Sequence, residues 1–386
     1  MARGEGGDLR VHVALVLGTR PEATKLAPVI LALREQAGVE ATVISTGQHR
    51  ELLPQTLAVF GLRADVDLAV MAARQTLTQI TTRVLDGCAR VFAELRPDVV
   101  LVHGDTTTTL AGALAAFYAG LPVGHVEAGL RTGDRWSPFP EEMNRLLADR
   151  LATVHFAPTA LAAANLRREG VAAASVFVTG NTGIDAVRMV AGPRRRRPAG
   201  STRLVLVEAH RHENLGEPMA RIAQGVVALV RARGDVEVEW SLHPNPAVQQ
   251  PVRRVAGGED RISLIDPPAF DVWARRMAEA DVLLTDSGGM QEESTAIGLP
   301  VLVLRGETER PEVIASGAGR LVGTESARIA SETARLLDDP AAYARMAEAG
   351  CAVGDGQAAR RTVEALLYHM GHAAQAPEAF ASAVVD

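Results

Sequence analysis

The chain has 386 residues, 47% hydrophobic and 22% charged, with a formal net charge of −6. That length suits two domains, each with its own core, and the acidic balance excludes a general nucleic-acid binder. Two distant cysteines, Cys88 and Cys351, make neither a disulfide framework nor a metal-ligand spacing, and no apolar run is long enough for a membrane span. The N-terminus is polar and lacks a signal-peptide core, so a soluble cytoplasmic protein is expected.

One further count stands out. Of 40 basic residues, 39 are Arg and one is Lys25. Drift towards Arg explains the majority. A lysine surviving that drift suggests a site where a compact ammonium is needed and the planar guanidinium fork does not fit, with chance survival as the alternative.

Short apolar runs alternate with helical stretches along most of the chain. Strands are predicted at Val11–Leu17, Ala41–Ser45, Val99–His103, Val123–Val126, Val154–Ala157 and Val176–Val178. After a break they resume at Leu204–Glu208, Val236–Ser241, Ile262–Ile265, Val282–Thr285 and Val301–Leu304. Helices are predicted at Glu22–Gln36, Leu77–Leu95, Thr107–Tyr118, Pro218–Ala232 and Phe270–Ala280, with Pro28 kinking or restarting the first. The strands read as continuously apolar, as in sheets covered on both faces, so the fold class is α/β with two Rossmann-like, doubly wound parallel sheets. The predicted divisions are an N-terminal domain over 1–192, a linker over 193–201 and a C-terminal domain over 202–356. A final helix over 357–372 is expected to pack back on the first domain, followed by a tail over 373–386. The linker carries four consecutive arginines between prolines; a solvated connector is the better reading than a nucleic-acid patch. Two α/β halves on either side imply an interdomain cleft.

Ligands of parallel sheets bind beyond the carboxyl ends of the strands, so residues just after each strand carry the functional signal. After the first strand, Gly18-Thr-Arg-Pro-Glu-Ala-Thr-Lys25 brings Arg20 and Lys25 to a helix start, which suits an anion; a capped helix with solvated cations is the alternative. The segment is neither a Walker loop nor a dinucleotide fingerprint. Asp105 enters a Thr-rich helix start, as a functional carboxylate or as an N-cap. Glu127 and then Glu141 follow the next strand. Glu142 beside them reads as first-turn helix stabilisation. Three carboxylates at successive loop edges exceed what capping needs and suit proton transfer on different faces of one substrate. In the second half, His210 and Arg211 end a strand, and His243 follows the next, as a turn residue or a ligand. Thr285-Asp-Ser287-Gly288-Gly289 joins a strand to a helix with backbone amides open to an oxyanion, Glu293 lies where it could hold ribose hydroxyls, and Arg310 adds a cation. The combination fits a nucleotide-diphosphate-linked substrate.

Nine motifs in order complete the pattern: Gly-Thr-Arg-Pro-Glu with Lys25, Thr46-Gly-Gln-His-Arg50, His-Gly-Asp-Thr, Val-Glu-Ala-Gly-Leu-Arg-Thr, Pro-Glu-Glu-Met-Asn-Arg, Gly-Asn-Thr182, His-Arg-His-Glu-Asn, Asp-Ser-Gly-Gly-Met-Gln-Glu-Glu and Thr-Glu-Arg-Pro-Glu. Over residues 11–370 the chain resembles the non-hydrolysing UDP-N-acetylglucosamine 2-epimerases. The resemblance implies a glycosyltransferase-B-like fold, interconversion of UDP-GlcNAc and UDP-ManNAc, a homodimer, and no metal or other cofactor. It implies Asp105, Glu127 and Glu141 as acid–base groups. His210, Arg20, Lys25 and Arg310 would hold the diphosphate with Ser287, Gly288 and Gly289, while Glu293 would take the ribose and Trp273 would lie near uracil. It also implies an activating UDP-GlcNAc at Gln48, His49, Arg74, Arg211 and His243. Several positions depart from the pattern. Glu208 replaces a small residue, His212 an arginine and Gly183 a β-branched residue, and Arg305-Gly-Glu307 stands for Arg-Asp-Thr. Glu208 is expected to weaken a phosphate site unless Arg211 or another cation pairs with it. A hydrolysing epimerase, an epimerase of a modified UDP-sugar, a retaining glycosyltransferase and a non-catalytic sugar-nucleotide sensor are the alternatives.

Overall fold

The protein is represented by a computed structural model describing residues 10–48, 51–72, 75–195, 198 and 200–382. The chain forms two compact units. Unit 1 runs to Ala186 and includes Gly354–Ala381; unit 2 comprises Val187–Val353 and, after unit 1's last segment, Ser382. The division thus falls at 186/187, upstream of the break at 192 suggested by the Pro- and Arg-rich segment.

In unit 1 the elements are β1 (Val11–Leu17), α1 (Arg20–Glu35), β2 (Val39–Ser45), α2 (Leu52–Val59), β3 (Val66–Asp67), α3 (Leu77–Leu95) and β4 (Val99–His103). They continue with α4 (Thr107–Tyr118), β5 (Val123–Val126), α5 (Glu141–Leu151), β6 (Val154–Ala157), α6 (Ala160–Arg168) and β7 (Val176–Val178). Helix α7 (Thr182–Ala191) then leads into unit 2. The seven strands pair in parallel in the order β3-β2-β1-β4-β5-β6-β7. Alternation along β1 explains the two covered faces. Val11, Val13, Leu15 and Leu17 join one core with α1, while Ala14 and Val16 join a second with α3 and α4.

Unit 2 repeats the design with β8 (Arg203–Glu208), α8 (Glu217–Ala232), β9 (Val236–Ser241), α9 (Pro246–Ala256), β10 (Ile262–Ile265), α10 (Phe270–Glu279) and β11 (Val282–Thr285). It ends with α11 (Gly288–Ala296), β12 (Val301–Val303), α12 (Pro311–Ala315), β13 (Gly319–Leu321), α13 (Ser326–Asp338) and α14 (Pro340–Glu348). Its six parallel strands are ordered β10-β9-β8-β11-β12-β13. Val205 and Val207 face α8, α9 and α13, whereas Leu204 and Leu206 face Trp273 and Met277 of α10.

The last helix, α15 (Ala358–His369), belongs to unit 1. Val363, Leu366 and Leu367 bury against Leu26, Ile30 and Leu33 of α1. Its first turn is held by Asp185, whose carboxylate accepts the amides of Ala358 and Ala359 at 3.2 and 2.8 Å. Helix α1 passes through Pro28 without restarting. The ring removes one helical hydrogen bond at a cost of about 3 kcal/mol, and burial of Leu26, Ala27, Val29, Ile30 and Leu33 on both sides of it keeps the helix continuous. Among the described residues no helix is long and apolar enough to cross a membrane.

Candidate functional site

In both sheets the strand order reverses between neighbouring strands, β1 and β4 in unit 1 and β8 and β11 in unit 2. Such switch points open a crevice at the carboxyl ends of the strands, and several of the candidate residues, among them Arg20, Asp105, His210 and Ser287, lie in the loops and helix starts beside them.

In unit 1 the loop after β1 is fixed by a capping box. The Thr19 hydroxyl accepts from the Glu22 amide, and the Glu22 carboxylate accepts from the Thr19 amide at 2.7 Å. Glu22 does more than cap. Its buried carboxylate also accepts from the Gly18 amide and from the hydroxyls of Thr19, Thr106 and Thr109 at 2.7 to 3.2 Å, tying the start of α1 to the start of α4. Burial raises its pKa despite these bonds. A Cβ on Gly18 would lie 2.3 Å from the hydroxyl oxygens of both Thr46 and Thr108, which bond each other at 3.1 Å. Gly18→Ala is therefore expected to destabilise the protein by about 1–3 kcal/mol through overpacking, read as a lowered urea midpoint at unchanged slope.

Arg20 opens α1 and is exposed. One turn on, Lys25 donates to Oε1 of Glu127. Glu127 follows β5 with φ +66°, a left-handed conformation that is strained for a residue with a side chain. Its other carboxylate oxygen lies 3.7 Å from Nε2 of His103. Burial, with Lys25 nearby, drives that imidazole down to a pKa of about 3, although Glu127 pulls the other way, so His103 is a neutral ring at the end of β4. A Cβ on Gly104 would sit 3.5 Å from Oε2 of Glu127, which places the carboxylate over the backbone beside Asp105.

Asp105 is not the N-cap of α4. Thr106 takes that role by accepting the Thr109 amide. The Asp105 carboxylate instead pairs with Arg145 of α5 at 2.6 Å, and Asn144 donates to the Asp105 carbonyl at 2.9 Å. Burial raises the Asp105 pKa, helped by the negative charges of Glu127 and Glu141 and opposed by Arg145 and Lys25. Glu141 begins α5, within electrostatic reach of Asp105. Its neighbour Glu142 is buried and accepts the amides of Thr132 and Gly133 at 3.1 to 3.2 Å. This carboxylate fixes the turn ahead of α5, a firmer task than the helix-dipole role expected for it. Gln48 accepts the Thr108 hydroxyl at 3.0 Å. His49 and Arg74, the other residues of unit 1 expected for an activator, lie outside the described residues, as do Arg196 and Arg197 of the linker and residues 383–386 of the tail.

In unit 2 the organising group is Asp286, a buried carboxylate that the sequence reading passed over. It accepts the amides of His210 and Arg211 at 3.0 to 3.1 Å and the side-chain amide of Asn214 at 2.8 Å. That grip shapes the turn after β8. The His210 ring stacks on His243 with centroids 5.3 Å apart and planes 25° apart. Its Nδ1 lies 3.3 Å from Oε1 of Glu208. Hydrogen bonding to Glu208 raises the His210 pKa, against the effect of burial. The carboxylate that departs from the expected pattern is thus matched by His210. Arg211, the other cation considered for that role, pairs with Glu309 at 3.1 Å.

Ser287 caps α11, and its amide donates to the Thr285 hydroxyl at 3.0 Å. The following amides, of Gly288 and Gly289, begin the helix. A Cβ on Gly288 would meet Nη2 of Arg211 at 3.5 Å and Cζ of Arg310 at 3.6 Å, so two guanidinium groups bracket the start of a nine-residue helix. Arg310 pairs with Glu292, and a Cβ on Gly289 would lie 3.8 Å from Oε1 of Glu293. Two cations and a positive helix end at one glycine favour an anion. Trp273 is packed in the core with 7% exposure, and its indole N–H donates to Sδ of Met290 at 3.3 Å.

A sequence profile described as UDP-N-acetylglucosamine 2-epimerase matches residues 31–367. The UDP-N-acetylglucosamine 2-epimerase of Bacillus subtilis strain 168 is 45% identical over 375 residues, spanning 96% of this chain and 99% of its own. That of Escherichia coli K12 is 46% identical over 369 residues, spanning 92% and 98%. The crystal structure of UDP-GlcNAc 2-epimerase from Neisseria meningitidis bound to UDP-GlcNAc is similar with a TM-score of 0.81 at 40% identity, covering 93% of this chain and 100% of that one.

Proposed function

This chain belongs to the UDP-N-acetylglucosamine 2-epimerase family, a family of enzymes, and from that premise we propose that it interconverts UDP-GlcNAc and UDP-ManNAc without net hydrolysis. The observation that carries the reading is the contrast between two neighbouring carboxylates. Glu127 is paired with the Lys25 ammonium, while Asp105, paired with Arg145 and partly exposed, still has its pKa raised by desolvation and by the charges of Glu127 and Glu141. Titratable groups whose surroundings differ in this way are suited to opposite acid–base roles.

The C2 hydrogen of the sugar is weakly acidic, and departure of UDP makes its loss feasible. The C1–O bond breaks with its electron pair going to the diphosphate, and the C2 proton goes to a carboxylate. The electron pair of the broken C2–H bond becomes the π bond between C1 and C2, giving 2-acetamidoglucal. A second acid–base group then delivers a proton to the opposite face of C2, and a diphosphate oxygen re-forms the bond to C1. Atoms and electrons balance without a further reactant.

Glu127 and Asp105 are the proton-transfer pair, with Glu141 adjusting the charge at Asp105. His210, Arg211 and Arg310, with the first amides of α11, stabilise the leaving diphosphate, and such preorganised donors act where charge develops. Lys25 holds Glu127 in place. Glu208 raises the proton affinity of His210, which turns an apparent liability for anion binding into support for it.

The test is incubation of the pure protein with UDP-GlcNAc in D₂O. UDP-ManNAc carrying deuterium at C2 is expected, with the anomeric bond to UDP intact in the product. Free ManNAc appearing with equal UDP would assign the hydrolysing reaction instead, and product without deuterium would rule out elimination.

A further inference from the structure

His125 and Asp149 are fully buried yet are assigned no chemistry by the reading above. His125 lies on β5, two residues before Glu127. Its Nδ1 is 2.6 Å from Oδ1 of Asp149, and its Nε2 is 2.7 Å from the carbonyl oxygen of Gly104. A carbonyl can only accept. Asp149 is also an acceptor here: Oδ2 takes the Gly129 amide at 3.2 Å and Nη2 of Arg131 at 2.8 Å, and the Arg131 charge favours the ionised carboxylate, whose Oδ1 then accepts as well. Both ring nitrogens of His125 therefore donate, so the ring is an imidazolium. Arg131 continues the alternation by pairing with Glu169 at 2.7 Å. The result is a string of opposite charges from β5 to α6.

The two ends of this string decide its meaning. The Gly104 carbonyl belongs to the peptide that begins Asp105. Gly129 belongs to the turn that holds Glu127 at its strained positive φ. We infer that His125 is a positioning residue: with Asp149 it clamps the peptide ahead of Asp105 against the turn carrying Glu127, and so sets the spacing of the two carboxylates.

This rests on the proposed epimerisation, because the spacing matters only if both groups act on one sugar. A misplacement of about 1 Å costs on the order of 10²-fold in such a site. The titratable groups facing His125 are Asp149 of α5, Asp105, His103 of β4 and His155 of β6, with Arg131 behind Asp149. Burial alone would lower the His125 pKa, but Asp149 and the Gly104 carbonyl more than offset it and the net shift is upward. Asp149 falls correspondingly to about 2, with His125 and Arg131 overcoming its burial.

Two measurements on the full chain test the clamp. In wild-type protein labelled with ¹⁵N-histidine, NMR should show His125 protonated on both nitrogens at neutral pH; a neutral ring there overturns the inference whatever reaction the enzyme performs. His125→Gln should then lower kcat by about 10²-fold with UDP affinity and KM unchanged. It should also release free 2-acetamidoglucal, because elimination proceeds without a matched return. Wild-type turnover in this variant, or activity that falls only in step with the folded fraction, overturns it. Should His125→Gln fail to fold, Asp149→Asn keeps the side-chain shape and is read in the same way. Failure of the wild-type D₂O experiment would instead refute the proposed reaction, leaving the imidazolium result standing by itself.

Discussion

Glu127→Gln is expected to lower epimerisation by about 10³-fold, within the range that a positioned acid–base group contributes, while UDP binding survives. Glutamine keeps the volume of the side chain and tolerates the left-handed backbone no worse than glutamate does. It loses the capacity to take up a proton and leaves the Lys25 ammonium without its counter-charge. The groups proposed to hold the diphosphate belong to unit 2, where His210 is set by Glu208 and Asp286, and Arg310 by Glu292. Turnover followed by NMR and UDP affinity by calorimetry should therefore separate cleanly. A variant retaining turnover within an order of magnitude of wild type would move the first proton transfer away from Glu127.

Lys25→Arg is the second large effect, and it preserves charge. The lysine stem packs along the position where residue 183 would carry a Cβ, 3.4 Å from Cε and 3.5 Å from Cγ of Lys25. Its Nζ meets one oxygen of Glu127 while the other oxygen faces His103. A planar fork seeks both oxygens at once and is bulkier at its end, so it would turn the carboxylate away from that arrangement. A fall in kcat of about 10²-fold is expected, with thermal stability close to wild type. Normal turnover would mean that the one lysine among 39 arginines is an accident of drift.

The strands and long helices were legible because their signals are local. Covered parallel strands read as unbroken apolar runs, and α3 and α4 match their predicted bounds. The missed strands are edge pieces, Val66–Asp67 and Gly319–Leu321, too short to carry a pattern. The start of α1 was placed two residues late although Thr19 and Glu22 have capping-box spacing, so that signal was available and unused.

The proposed site residues were legible: Asp105 and Glu127 stand just after strands, while Lys25 and Glu141 lie on the helices that follow. Their supports were not. Asp286 reaches residues 72 to 76 positions away, His125 reaches Asp149 and Gly104, and Glu22 reaches Thr106 and Thr109. Nothing in the neighbouring sequence marks a buried carboxylate whose partners are backbone amides on another loop. The identity of the partner that Glu208 takes was left open by the sequence for a related reason. Asp286 fixes the turn by both backbone amides, His210 is left beside Glu208, and Arg211 pairs with Glu309.

The return of α15 to unit 1 has a consequence for synthesis. Leu26, Ile30 and Leu33 leave the ribosome before Val187–Val353 of unit 2, yet the residues that cover them, Val363, Leu366 and Leu367, leave after it. Val187–Val353 of unit 2 lies between these segments, so that stretch emerges while unit 1 still has an open apolar face. Domains generally fold in order from the N-terminus during translation; here the unit that begins first must finish last, and a nascent chain stalled short of α15 would present that face to chaperones.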